Sequence, residues 1–405
     1  MKKFFLSDKG NDYSYLEFLE SINKADSYIP VPKEQDLYKY FVNLVIALIN
    51  HNSITLVDSD LSEAEIQSIG LTDINKSIPF KGFKLSSNEE LSFKISNSKS
   101  KITIFTSGTT GQPKQVTHDF YNLARAVRTD VKHSNDIWGF AYNPTHMAGL
   151  QVFLQAICNG NTLVNLFNKS RNEVYNLIDK YGVSHLSATP TFYRLLLPYE
   201  RYFNKMKRIT FGGEKSDQRL YENIKKIFPK AKVTNVYAST EAGSLFAANG
   251  SDFKIPDSIK DRIKVIEEEL YIHKSLIGHS SSLKLENEFY PSGDLIEWID
   301  EPNGIFRFKS RKNELINVGG YKVNPHEVED AIRAVRGVQD VRVYGKSNSV
   351  LGNILCADIV VDHKELLSDL AIRKELVNSL QDFKIPRRIK IVEELNLTRT
   401  GKLKR

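Results

Sequence analysis

The nine residues from Thr106 to Lys114 read TSGTTGQPK and directly follow an apolar run, ITIF. Gly108 and Gly111 let backbone amides come close to an anion, and free amides in such turns form an anion nest. The hydroxyls of Thr106, Ser107, Thr109 and Thr110 are further donors, and Lys114 adds a mobile positive charge. A polyphosphate suits this set. The spacing departs from Gly, four residues, Gly-Lys-Ser/Thr, which disfavours a P-loop kinase or ATPase. Taken alone, the nine residues read first as a flexible Gly/Thr surface loop, so the neighbours decide.

The elements needed to position such a loop are legible. Strand-like apolar runs (SITLVDSD, KITIFTSG, NTLVNLFN, VSHLSATP, RITFGGE, KVTNVYAS) alternate with helical stretches at Asn122–Val131, Arg171–Tyr181 and Gln218–Phe228. That alternation predicts α/β layering, a sheet covered by helices, with ligands at the strand ends. From Lys284 the pattern becomes antiparallel: FYPSGDLIEWID, a turn at EPNG, then GIFRFKSR. After Arg311 a smaller α+β lobe follows. It has a strand pair around LINVGGYKV, a helix at Pro325–Val335, strands at Gln339–Tyr344 and Ile354–Val360, and a helix at Lys364–Leu380. The expected division is 1–311 and 312–405, with a hinge at Arg311/Lys312.

Composition bounds the function. A chain of 405 residues with 41% hydrophobic content has core material for two or three domains. The formal charge of +7 is either a dispersed basic surface or an attraction for phosphates and acidic partners. No aromatic–basic module for nucleic acid stands out. Cys158 and Cys356 have no metal or disulfide spacing, and a reducing cytoplasm is the simplest location. The apolar part of MKKFFLSDKG is too short for a secretory signal, and the run Tyr40–Ile49 is too short to span a bilayer and predicts a buried helix.

Four further blocks give the loop its company: NVYASTEAG (Asn235–Gly243), YPSGDL (Tyr290–Leu295), SRKNELINVGGYKVNPHEVE (Ser310–Glu329) and LTRTGKLKR (Leu397–Arg405). NPTHMAGL (Asn143–Leu150) and YSYLEFLESI are weaker ones. With TSGTTGQPK they resemble, in order, the motifs of the adenylate-forming superfamily of acyl-CoA synthetases, peptide-synthetase adenylation domains and luciferases. The resemblance runs from Lys101 to the end; the first hundred residues are short for that family.

The resemblance implies a large α/β AMP-binding domain with a small mobile C-terminal lid, and a two-step ligase. A carboxylic acid attacks the α-phosphate of ATP with Mg2+, pyrophosphate leaves, and the acyl-AMP meets the thiol of coenzyme A or of a carrier protein's phosphopantetheine. Tyr237 would stack on adenine, Asn235 would read its edge, and Gly213, within GGEK, and Ala238 would line the nucleotide. Glu241 would hold the metal and Thr240 the α-phosphate. Asp294 and Arg311 would bind ribose, Lys312 would be the hinge, and Lys402 would aim its ammonium at the reacting oxygens. Gly319, Gly320 and Tyr321 would line the thiol channel, although GGY is equally a hairpin turn. His146, Gly149, Thr189 and Ala238 would border the acyl pocket, with His146 read equally as a gate or as a core histidine.

Three positions depart from the family pattern: Ala238 for Gly, which narrows the acyl side, Ser292 for Thr, and Ser310 for Gly. The pocket segments are mostly apolar or aromatic, which favours an aryl or acyl acid over an amino acid, whose ammonium needs a buried acidic partner. A non-catalytic nucleotide-binding relative is the reading from another class, and retention of Lys114, Glu241, Asp294, Arg311 and Lys402 speaks against it.

Overall fold

The computed structural model describes residues 3–105, 114–348, 352–362 and 367–398, and every count below refers to these. Thr106, Ser107, Gly108, Thr109, Thr110 and Gly111 lie outside the described residues, as does Lys402. The chain packs as two units, 1–263 with 272–290, and 264–271 with 291–405. The segments 264–271 and 291–311 thus pack with the smaller unit.

The larger unit is built on an eight-stranded sheet. Its order from one edge is Gly243–Ala248, Lys232–Ser239, Arg208–Gly212, His185–Ala188, Ile137–Phe140, Thr162–Asn165, Phe4–Asp8 and Asn11–Ser14. The six inner strands are mutually parallel, and each edge strand is antiparallel to its neighbour. Inner strands such as Thr162–Asn165 are short, apolar and buried, as a sheet covered on both faces demands. One core cluster packs the helices Tyr15–Lys24, Leu37–Ile49, Asn88–Ser96 and Met147–Ile157 around Phe5, Phe41, Phe140 and Phe153. The other joins Arg171–Tyr181, Pro190–Leu195 and Gln218–Ile227 through Tyr175, Tyr193, Phe211 and Phe228. A second sheet pairs Lys101–Phe105 in parallel with Ile54–Thr55 and antiparallel with Gln115–Asp119, Phe105 facing Gln115. The phosphate-loop sequence therefore connects two paired strands.

Helix signals account for most boundaries. Ser14 and Ser170 form reciprocal capping boxes with Glu17 and Glu173, and Gly182 ends the helix Arg171–Tyr181 at φ 64°. The predicted helix Asn122–Val131 is shorter than expected, covering Phe120–Ala124. The backbone of Arg128 bonds instead to side chains on another helix: its N–H donates to Gln155 Oε1 at 2.9 Å, and its carbonyl accepts from Gln155 Nε2 at 2.9 Å. Tertiary partners have replaced the helical ones. The predicted strand SITLVDSD contracts to Ile54–Thr55, because Val57 and Asp58 turn into a loop.

The smaller unit pairs the 12-residue strand Phe289–Asp300 with Ile305–Arg311, placing Asp294 opposite Arg311. The predicted EPNG turn forms, with Gly304 at φ 67° donating to Glu301 O at 2.9 Å. A three-stranded sheet of Val338–Asn348, Gly352–Val361 and Arg388–Ile391 carries the helices Pro325–Ala334 and Asp369–Leu376 on a core of Val328, Ile332, Val341, Ile359 and Ile372. Within the expected helix Lys364–Leu380, only Asp369–Leu376 is α-helical among the described residues.

Candidate functional site

Parallel strands all point their C-terminal ends the same way, so the sheet delivers its strand-end residues to one edge. In register, Ser187 pairs with Phe140, Ala188 with Phe211, and Gly212 with Val236. The segments that continue from these ends carry His146, Thr189, Gly213 and Tyr237 to Glu241. One edge of the larger unit thus gathers most of the residues expected to bind adenine, the α-phosphate, the metal and the acyl group.

Tyr237 and Ala238 sit at a bulge in the edge pairing. A bulge re-aims side chains, and here it falls where the chain leaves the strand for the Ser239-Thr240-Glu241 turn. The Tyr237 ring lies parallel to Phe246, centroids 5.5 Å apart at 24°. The Asn235 carboxamide is oriented by two partners: Oδ1 accepts from Ser216 Oγ at 2.9 Å, and Nδ2 donates to the Gly250 carbonyl. The Asn235 oxygen keeps one lone pair for an exocyclic amine. Gly213, at φ 84°, occupies the left-handed region that glycine supplies without strain.

The Thr240–Glu241 turn is held through its backbone. The carbonyls of residues 240, 241 and 242 accept from His118 Nε2 at 2.7 Å, Gly278 N at 2.8 Å and Arg125 Nη2 at 2.7 Å. The Ala242 amide donates to Ser239 Oγ at 3.1 Å. Among the described residues, no hydrogen bond or ion pair engages the Thr240 hydroxyl or the Glu241 carboxylate. A fixed backbone presenting an uncommitted carboxylate fits Mg2+, a hard cation that takes one or two protein carboxylates and completes its shell with phosphate oxygens and water. No cluster of three or more His, Cys, Asp or Glu able to hold a metal occurs among the described residues.

His146 caps the helix Met147–Ile157 and pairs with Asp58, Nε2 to Oδ2 at 3.2 Å. Asp58 also accepts from Asn143 Nδ2 at 3.0 Å and from the Thr145 hydroxyl. Burial alone would raise the Asp58 carboxyl, but His146, Thr145 and Asn143 outweigh it and bring it from 3.8 down to about 2. A carboxylate held below its ordinary value stabilises the fold above about pH 4, and that contribution is lost as pH falls towards 2. The gap corresponds to about 2 kcal/mol. We expect Asp58→Asn to lower stability by about that much at pH 7 in urea denaturation, with a smaller deficit at pH 3. A deficit independent of pH would assign the loss to packing instead. Gly149, buried in the same helix, is required by a close approach: a Cβ there would lie 2.1 Å from the Asn143 carbonyl oxygen. Thr189 caps the helix Pro190–Leu195, accepting from the Phe192 amide at 3.0 Å.

In the smaller unit, buried Asp294 receives Arg311 Nε on Oδ1 at 2.8 Å. The strand around it is tied to the strand Glu269–His273: Gly293, at φ 75°, donates to Glu269 Oε1 at 3.0 Å, and Ser292 Oγ donates to Leu270 O at 2.7 Å. The other oxygen of Glu269 meets Lys312 Nζ at 2.9 Å, and this bond raises the Lys312 pKa. Gly319 and Gly320, at φ 57° and 91°, form the hairpin between Ile316–Val318 and Tyr321–Val323, and exposed Tyr321 stacks on Phe383 at 4.5 Å.

The residues that sequence reasoning passed over are His118, Arg125, Asp58 and Glu269. Each acts on a motif from a distant segment, and none lies in a block of its own.

This fold has close counterparts. ATP-bound MatB from Rhodopseudomonas palustris superposes over 99% of this chain and 94% of its own, with TM-score 0.75 and 16% identity. The o-succinylbenzoate coenzyme A synthetase of Bacillus subtilis, with ATP and magnesium, covers 99% and 95%, with TM-score 0.74 and 19% identity. The architecture is that of the adenylate-forming enzymes. The model described as AMP-binding enzyme matches residues 45–267, and that described as AMP-binding enzyme C-terminal domain matches 327–402, so this chain belongs to the AMP-binding enzyme family. Among curated relatives, the uncharacterized acyl-CoA ligase YtcI of Bacillus subtilis is 27% identical over 74% of this chain, and the match spans 64% of YtcI's length, under two thirds. The 2-succinylbenzoate–CoA ligase of Staphylococcus epidermidis is 23% identical over 96% of this chain and 89% of its own. No helix among the described residues is long and apolar enough to cross a membrane.

Proposed function

We infer that the chain is an AMP-forming acid–thiol ligase of the acyl-CoA synthetase type. It activates a carboxylic acid as acyl-AMP with release of pyrophosphate, then transfers the acyl group to the thiol of coenzyme A. Family membership supports this reading, as do relatives that are themselves CoA ligases. The observation that carries it is the Thr240–Glu241 turn, with its backbone fixed and its two functional side chains uncommitted at the ligand edge of a parallel sheet.

In this scheme TSGTTGQPK, with Lys114, grips the β- and γ-phosphates and orients pyrophosphate as leaving group. Tyr237 and Asn235 hold adenine, and Asp294 with Arg311 holds ribose. Glu241 would hold Mg2+, which when bound would supply neutralisation of charge on the phosphates. Thr240 donates to the α-phosphate, where the substrate carboxylate, already ionised at neutral pH, attacks without a general base. Lys402 stabilises that transition state, and rotation at Lys312 then exchanges it for the thiol channel at Gly319–Tyr321. His146, Gly149, Thr189 and Ala238 border an aryl or acyl group. A carrier protein's phosphopantetheine is the alternative acceptor, and the net charge of +7 suits an acidic carrier. A cytoplasmic site of action agrees with free cysteines at 158 and 356.

The test is carboxylate-dependent exchange of labelled pyrophosphate into ATP, screened over aryl, acyl and amino acids. Exchange with an aryl or acyl acid, followed by thioester formation on added coenzyme A, is the expected result. Thioester only on a carrier protein would replace the acceptor. ATP binding without exchange for any acid would leave a non-catalytic nucleotide-binding protein.

A further inference from the structure

We propose that His118 and Arg125 are positioning residues that lock the metal-bearing Thr240–Glu241 turn to the strand emerging from the phosphate loop, making Mg·ATP affinity depend on two side chains outside every motif. The inference rests on the reading of Glu241 as the metal carboxylate.

Its basis is a closed ring of hydrogen bonds. The strand Gln115–Asp119 begins one residue after Lys114. Its Thr117 exchanges two backbone bonds with His279, N to O at 2.8 Å and O from N at 2.7 Å. The adjoining Gly278 amide donates to the Glu241 carbonyl at 2.8 Å, and His118 Nε2 closes the ring on the Thr240 carbonyl at 2.7 Å. Arg125, just past the helix Phe120–Ala124, adds the bond to Ala242 O at 2.7 Å. A carbonyl only accepts, so His118 carries its proton on Nε2. His118 is 1% exposed, and burial keeps its imidazole below the ordinary histidine range, so it donates as a neutral ring beside Arg125, His279 and Asp119. Gly278 makes room for it: a Cβ there would fall 2.8 Å from His118 Cε1 and Nε2 and 2.6 Å from Val116 Cγ1. A histidine and a glycine from segments 160 residues apart thus hold adjacent carbonyls of one turn. A turn held by the protein's own groups in this way leaves less ordering for nucleotide binding to supply.

Groups that orient a metal's ligands typically change metal affinity about 10- to 100-fold when removed. The test is calorimetric ATP binding at increasing Mg2+ on the whole chain, which needs no acid substrate. For His118→Leu we expect Mg·ATP affinity to fall about tenfold, affinity for metal-free ATP to change much less, and His118→Gln, which keeps a side-chain N–H, to recover part of the loss. Arg125→Met provides a second variant of the same brace and should weaken Mg·ATP in the same direction. A purely structural role would lower the folded fraction and leave the affinity of the folded molecules unaltered. Unchanged Mg·ATP affinity in folded His118→Leu and Arg125→Met would overturn the proposal. Pyrophosphate exchange by the unmodified chain, measured in parallel, tests the parent reading separately. Failure of that chain to bind Mg·ATP would sink both.

Discussion

Replacing Lys402 by alanine should lower the rate of adenylation by about a hundredfold or more and leave thioester formation from supplied acyl-AMP near its original rate. The asymmetry follows from where charge develops. As the carboxylate attacks phosphorus, negative charge builds on the oxygens shared between the acyl group and the α-phosphate. An ammonium directed there binds the transition state more tightly than the ground state, so its loss falls on kcat. In the second step the nucleophile is a thiol and the leaving group is AMP, and the lysine must be absent for the thiol to enter. Lys402→Arg should recover little: a guanidinium is a broad planar fork, and the task needs a compact point charge. Pyrophosphate exchange reports the first step and thioester release the second. Equal losses in both would reassign Lys402 to general nucleotide binding or to folding of the lid.

The sequence revealed the fold where local and tertiary demands agree. The helix Arg171–Tyr181 was legible to the residue because Ser170, Glu173 and Gly182 write its two ends in the chain itself. The strands Thr162–Asn165, His185–Ala188 and Arg208–Gly212 were legible because burial makes them short apolar runs, whereas Ile137–Phe140 was not singled out. Reading failed where distant side chains took over the backbone, as when Gln155 captures Arg128 and cuts short the helix expected to reach Val131. The site divides the same way. Tyr237, Thr240, Glu241 and Asp294 belong to contiguous blocks that resemble a family. Asp58 serves His146 from 88 residues away and Glu269 serves Gly293 from 24, and no local pattern marks either. Asp58, from outside NPTHMAGL, is brought beside it by the fold and pairs with His146.

Glu241→Gln should abolish most adenylation while leaving the fold intact, and the combination is what makes it informative. Among the described residues the Glu241 carboxylate takes part in no hydrogen bond or ion pair, whereas its backbone carbonyl is held by Gly278. Exchanging carboxylate for carboxamide keeps the shape and that backbone contact, so the thermal midpoint should move by no more than about 2 °C, the scale of a surface substitution. Catalysis should fall by about a hundredfold or more, because Mg2+ favours anionic oxygen and contributes several kcal/mol of charge stabilisation on the transferring phosphate. The form of the defect separates this carboxylate from its brace. With His118→Leu the ligand is still present but less well ordered, so high Mg2+ should restore turnover. With Glu241→Gln the ligand itself has lost its charge, and saturating Mg2+ should leave kcat depressed. A Glu241→Gln protein that melts many degrees lower, or that regains full turnover at high Mg2+, would show that this side chain supports the turn and that the metal's carboxylate lies elsewhere.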